Sequence, residues 1–283
     1  MTPSFEGRFA GVGGITLLRR SWRPAGPPRA VVVFVHGLGE HSGIYAALGA
    51  RLVERGYALE AYDVRGHGLS PGPRVHIDSW PQVRGDLRAL IELARGEHPG
   101  RPVFVVGHSA GGLTVLDLAL RHGEGLAGVV SCSPAIGEVG APGWLLALAR
   151  LLSHLWPRFA MDIRLDFDNM SRDPIANRAI VEDPLYYRRG TARLGAETLD
   201  TIAWTRAHAA ELRLPLLMLH GTGDRITSAE ASRSFFEAAG SPDKTYRSYP
   251  GAFHNLFHDP SAPEVIGGLC DWLDARTAGS GVR

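Results

Sequence analysis

The chain has 283 residues, 45% hydrophobic and 21% charged, with 30 basic against 29 acidic side chains. That balance supplies a sizeable core, offers no basic stripe for nucleic acid, and suits one large α/β domain or two small ones. The N-terminal residues lack the apolar core of a secretory signal. Cys132 and Cys270 sit in apolar stretches and read as buried free thiols, so the expected location is the cytoplasm.

Residues 4–10 and 14–22 predict a short strand pair turning at 11–14. The continuous apolar run 30–35, bounded by Pro27, Pro28 and Gly37, predicts a strand covered on both faces, as in parallel sheets. A helix over 44–55, a strand over 57–63, a glycine turn at 65–70 and a helix over 79–96 follow. Val103-Phe104-Val105-Val106 then runs into Gly107-His108-Ser109-Ala110-Gly111, with a helix over 112–120 and a further buried strand over 126–131. Strands and helices alternate, the pattern of a doubly wound sheet.

Over 134–210 the rhythm stops. A Leu- and Trp-rich helix over 143–156 carries Arg150, Ser153 and His154 on a narrow polar stripe, too short and polar to span a membrane. Helical pieces over 173–208 are broken at Pro174 and Pro184. This stretch is expected to be a mostly helical cap, with 1–133 and 211–276 as the core. The rhythm resumes with a strand over 214–220, a helix over 227–239, a strand over 244–249 and a helix over 261–276. The small, polar tail 277–283 is expected to be disordered.

Ser109 lies between a buried strand and a helix, with Gly107 and Gly111 two residues to either side. Glycines there let the strand and helix close around a strained turn that thrusts a hydroxyl outward, the context of a nucleophile elbow. A Ser hydroxyl needs a base, and the base needs an orienting group. Asp224 just past the strand 214–220 and His254 just past the strand 244–249 are in the right order and place. His258 is the runner-up histidine, and His254 with His258 and Asp259 falls short of a metal set. His36, His67, His108 and His220 flank glycine turns, where structural hydrogen bonding is expected. For the oxyanion, the N–H of Ala110 and that of Leu38, in the glycine-rich loop 36–40, are the expected donors, each worth about 3 kcal/mol in other hydrolases.

Taken together, His36-Gly37-Leu38-Gly39-Glu40-His41-Ser42-Gly43 with Tyr45, Asp63-Val64-Arg65-Gly66-His67-Gly68-Leu69-Ser70 and Gly107-His108-Ser109-Ala110-Gly111-Gly112 resemble the α/β-hydrolase superfamily. Ser171-Arg172-Asp173-Pro174, Asp183-Pro184-Leu185, Gly221-Thr222-Gly223-Asp224 and Tyr249-Pro250-Gly251-Ala252-Phe253-His254 narrow this to its monoacylglycerol lipase and lysophospholipase group, related to the serine aminopeptidase S33 family. The resemblance covers nearly the whole chain. It implies an α/β-hydrolase fold: a mostly parallel eight-stranded sheet flanked by helices, with a helical cap inserted after the sixth strand. It also implies a Ser109–Asp224–His254 triad, an oxyanion hole at Leu38 and Ala110, and hydrolysis of a monoacylglycerol without metal or cofactor. Substrate contacts are implied at Glu40, His41 and Tyr45. The chain departs from the family at Ala110, often Met, and at Ile44, often Arg; the latter removes a polar group near the expected alcohol end.

In the helix 143–156, Leu145, Leu148 and Leu152 either pack on the sheet or line an acyl tunnel or touch a lipid surface. The expected partners are therefore a small lipid ester and, through the cap, a membrane surface. Alternatives are a short-chain esterase, thioesterase or lysophospholipase, and a non-catalytic binding protein on this scaffold. Chemistry with an Asp nucleophile is disfavoured by Ser at 109.

Overall fold

The computed structural model describes residues 2–137, 143–162 and 167–277, without the side chains of 143–146 and 148. The first half contains β1 (Phe5–Ala10), β2 (Thr16–Trp22), β3 (Val31–Val35), α1 (Ala46–Glu54), β4 (Ala58–Tyr62), α2 (Trp80–Glu97), β5 (Val103–His108), α3 (Ala110–His122) and β6 (Gly128–Cys132). An excursion follows with α4 (Gly143–Leu155), β7 (Ala160–Asp162), α5 (Pro174–Glu182), β8 (Arg189–Thr191) and α6 (Ala192–Ala207). The chain closes with β9 (Leu216–Gly221), α7 (Ala229–Ala238), β10 (Lys244–Tyr249) and α8 (Ala262–Thr277).

Eight strands form one sheet in the order β1-β2-β4-β3-β5-β6-β9-β10. β1, β2 and β4 pair antiparallel, and every pair from β4 to β10 is parallel. The apolar runs explain the order. All five residues of β3 and all six of β5 are buried, so these strands belong in the middle with helices on both faces. Their side chains alternate between two cores. Val31, Val33 and Val35 join the cluster with Leu87 and Leu116, while Val32 and Phe34 join the cluster with Leu48 and Leu269. Each such side chain contributes about 2 kcal/mol by leaving water.

This is an α/β-hydrolase fold, and the insertion sits after the sixth strand as expected. α6 packs on α3 and α4, and Glu197 on α6 accepts the Trp80 N–H at 2.8 Å, capping the start of α2 from outside. The insertion is not wholly helical. β7 and β8 form a two-stranded antiparallel ribbon, unforeseen because three-residue, largely exposed strands carry no hydrophobic period. The C-terminal boundary also needs correction. Thr277 is the last residue of α8 rather than the first of a tail, its hydroxyl donating to the Leu273 carbonyl at 3.0 Å; residues 278–283 lie outside the described chain. Cys132 and Cys270 are buried and free. Among the described residues no helix is long and apolar enough to cross a membrane.

Candidate active site

Ser109 joins β5 to α3 with φ 54° and ψ −116°, a conformation that costs a non-glycine residue about 1–3 kcal/mol. Three backbone bonds hold it there. The Ser109 N–H donates to Cys132 O at 2.9 Å, and Ser109 O accepts from Leu113 at 3.1 Å and Ala135 at 3.0 Å. The flanking glycines answer to close approach. A Cβ on Gly107 would lie 2.1 Å from Gly111 O, and one on Gly111 would lie 2.2 Å from Val35 O. Any side chain at either position would push β5, α3 and β3 apart.

The parallel register brings the other groups to the same rim. His108, Cys132 and Leu219 stand side by side across β5, β6 and β9, and Tyr249 stands beside Gly221 across β10 and β9. Asp224 and His254 follow β9 and β10 by a few residues and meet there. His254 Nδ1 donates to Asp224 Oδ2 at 2.9 Å. The ionised carboxylate has no proton to give, so the proton is on Nδ1 and the Nε2 lone pair is left as the base.

The side chain of Asp224 is fully enclosed. Its Oδ1 accepts the N–H groups of Ile226 (2.8 Å) and Thr227 (3.0 Å), and the Thr227 hydroxyl lies 2.8 Å from Oδ2. His220 Nε2 is 3.1 Å from the same oxygen. Burial alone would raise the Asp224 pKa. His220 and His254 more than reverse this and hold it far below the usual carboxylate range. Burial moves His254 the other way, below its ordinary value, against the opposing pull of Asp224.

Ser109, His254, Leu38, Ala110 and Glu40 line one cavity of about 200 Å³. Its other walls are mostly apolar, including Val64, Ile77, Trp80, Val83, Met170 and Leu194. Ala110 opens α3, where the first backbone N–H groups have no helical acceptor. The N–H of Leu38 makes no hydrogen bond among the described residues. A strained hydroxyl, a neutral imidazole held by a carboxylate and two available N–H donors are the parts that acyl transfer requires.

Not every expected contact lies here. Glu40 reaches the cavity, but its carboxylate is occupied. Oε2 accepts from Gly37 N–H at 2.7 Å and from the Tyr45 hydroxyl at 2.6 Å. Tyr45 does not line the cavity; it is buried between Phe34, Phe257 and His258. Nor does His41, whose Nε2 reaches Asp183 in the insertion at 2.8 Å and whose Nδ1 accepts from Gly43. These two serve the framework because their polar atoms are already matched by neighbours. Leu152 is half-buried and outside the cavity wall, while the side chains of Leu145 and Leu148 fall outside those described. His258 lies with Nε2 2.8 Å from the Ile44 carbonyl and Nδ1 3.0 Å from Asn255 Oδ1, directed at these groups rather than at Asp224.

Sequence reading did not single out Thr227, whereas the structural hydrogen bonding expected of His220 and His108 is present. His220 Nδ1 meets Ser232 Oγ at 2.8 Å, and His108 spans from Tyr45 (3.0 Å) to the His254 carbonyl (3.3 Å). Their place beside glycine turns was the available signal. Among the described residues, Glu60, Glu97 and His98 come close enough to share a metal. Arg19 and Arg23 already bond both carboxylates, which leaves little negative charge to attract a cation.

Known proteins are similar to this chain along nearly its whole length. The monoacylglycerol lipase of Mycolicibacterium smegmatis is 34% identical over 270 residues, 95% of this chain and 96% of that protein. The monoglyceride lipase of Homo sapiens is 31% identical over 276 residues, 95% of this chain and 90% of that protein. The crystal structure of Paleococcus ferrophilus monoacylglycerol lipase superposes with a TM-score of 0.85 at 36% identity, covering 92% of this chain and 99% of that one. The family profile described as "Serine aminopeptidase, S33" matches residues 26–261. The chain therefore belongs to the serine aminopeptidase S33 family, on an α/β-hydrolase fold.

Proposed function

We propose that this protein is a serine carboxylester hydrolase that cleaves monoacylglycerols to a fatty acid and glycerol through an acyl-enzyme. One observation carries the reading. Ser109 on its strained turn lines the same apolar cavity as His254, whose Nδ1 is bonded to Asp224, in a chain with full-length similarity to monoacylglycerol lipases. Ser109 Oγ attacks the ester carbonyl as His254 Nε2 takes its proton. The N–H groups of Leu38 and Ala110 receive the oxyanion. His254 then protonates the departing glycerol oxygen, and a water deprotonated by His254 releases the fatty acid. The residues named need no metal or cofactor for any of these steps.

The cavity favours a second, narrower version of this chemistry. At about 200 Å³ it is little larger than a site of roughly 150 Å³ that holds benzene, which favours short or medium acyl chains. The insertion also bears exposed Leu151, Leu155, Trp156, Met161, Ile175 and Val181. We read these as a surface for peripheral contact with the lipid phase that supplies the substrate.

The test is hydrolysis of monoacylglycerols against p-nitrophenyl esters, each from C4 to C16, by the native protein and by Ser109→Ala. The expected result is monoacylglycerol cleavage that drops by at least about 10³-fold in the variant. Activity confined to short p-nitrophenyl esters would keep the nucleophile and discard the lipase reading. Undiminished activity in Ser109→Ala would discard the mechanism.

A further inference from the structure

The loop that carries His254 is completed by the insertion rather than by the core alone. Phe253, His254 and Asn255 present three consecutive backbone N–H groups. Their acceptors are Asp259 Oδ2 at 3.4 Å, Asn169 O at 3.4 Å and Met170 O at 2.7 Å. The next two residues of the insertion continue the seam. The Ser171 hydroxyl donates to the His258 carbonyl at 2.9 Å. Arg172 donates its backbone N–H to Asp259 Oδ2 at 3.1 Å and its guanidinium to both carboxylate oxygens, the shortest bond being Nη2 to Oδ1 at 2.6 Å. Asn177 on α5 fixes the segment from behind, exchanging hydrogen bonds with the backbone of Ser171 at 2.8 and 3.0 Å.

Asp259 is the centre of this seam. It is 2% exposed, and its ion-pair partner among the described residues is Arg172. Burial alone would make its charge costly, yet Arg172 and the Ser261 N–H and hydroxyl hold the carboxyl well below its usual range. A planar guanidinium on a carboxylate fixes direction as well as distance, which an ammonium does not.

We propose that Arg172 and Asp259 are a positioning pair for the His254 imidazole, and that residues 169–172 form a fixed buttress of the catalytic site rather than part of a moving lid. The proposal rests on His254 as the catalytic base. A structural clasp would hold the insertion to the core and affect stability or substrate entry. A positioning pair must also affect the chemical step.

The experiment compares native protein, R172A, R172K, D259N and H254A for kcat, KM, the pH profile of kcat/KM and thermal unfolding. Misplacing a catalytic group by an ångström costs up to about 100-fold, so R172A and D259N are expected to lose roughly tenfold or more in kcat. KM should stay within about twofold, and the acid limb of kcat/KM should move. R172K should recover only part of kcat, because it restores the charge without the fork. If R172A does not fold, R172M, which keeps the apolar stem packed, replaces it in the same comparison. A variant that melts earlier yet keeps kcat within about twofold, or that changes KM alone, overturns the positioning role. H254A separates the two ideas: if it is inactive while R172A is not, only the buttress fails, and if it stays active both fail.

Discussion

As the proposed base, His254 must be neutral at the start of each catalytic cycle, and its burial favours that form. Burial is the largest influence and lowers its pKa; Asp224 and Glu40 raise it, and the neighbouring His108 lowers it. The net displacement is downward, so the base stays free of a proton below the ordinary imidazole value of about 6.5. Plots of kcat/KM against pH for a monoacylglycerol are accordingly expected to hold level through neutrality and to bend below about pH 6.5. An acid limb centred at or above that value would mean that Asp224 outweighs burial. At this scale the grouping of Ser109, Asp224 and His254 was legible because strand ends, glycine turns and chain order constrain where the three fall. Glu40, His41 and Tyr45 were not. A polar side chain in a glycine-rich loop reads the same whether its partner is a substrate or a buried neighbour such as Asp183.

Elements with a clear hydrophobic period were equally legible. β3 and β5 announce themselves as unbroken buried runs, and α2 and α7 as stripes. The ribbon of β7 with β8 has too few residues for a period, and no pattern in one strand names its partner. The tie between Arg172 and Asp259 spans 87 residues, a separation at which local sequence carries no signal. On the insertion, Leu151 and Leu155 in the last turns of α4 and Trp156 just after it have exposures of 53, 74 and 61%. Leaving such groups in water is unfavourable by about 25 cal/mol per Å², and entry into a lipid surface would recover that. Flotation with phosphatidylcholine vesicles is therefore expected to carry the native protein upward. The double variant Leu155→Ser, Trp156→Ser should bind at least about tenfold less, since two large side chains are each worth about 1.5–3 kcal/mol. Hydrolysis of a short, water-soluble ester should be unchanged in it. Equal flotation of both proteins would remove this face from the lipid contact.

Across the whole molecule, buried ionisable groups make stability depend on pH in two steps. Burial lowers the pKa values of His36, His254 and His258, and takes His67 to about 3. Below about pH 6.5 the unfolded chain binds protons that these folded histidines refuse. The stability they permit is thus complete at neutral pH and declines as the pH falls from there. Glu60, Asp63, Asp224 and Asp259 are held below their ordinary values by bonded donors that overcome the effect of burial. Their contribution is complete above about pH 5 and is lost progressively at lower pH. The histidine step therefore comes first. Urea unfolding measured from pH 8 to pH 4 should show a stability that is level near neutrality and slopes downward from about pH 6.5. A curve flat to pH 5 that falls only in the carboxylate range would mean that these imidazoles are charged within the fold, or that the fold relaxes to admit water to them.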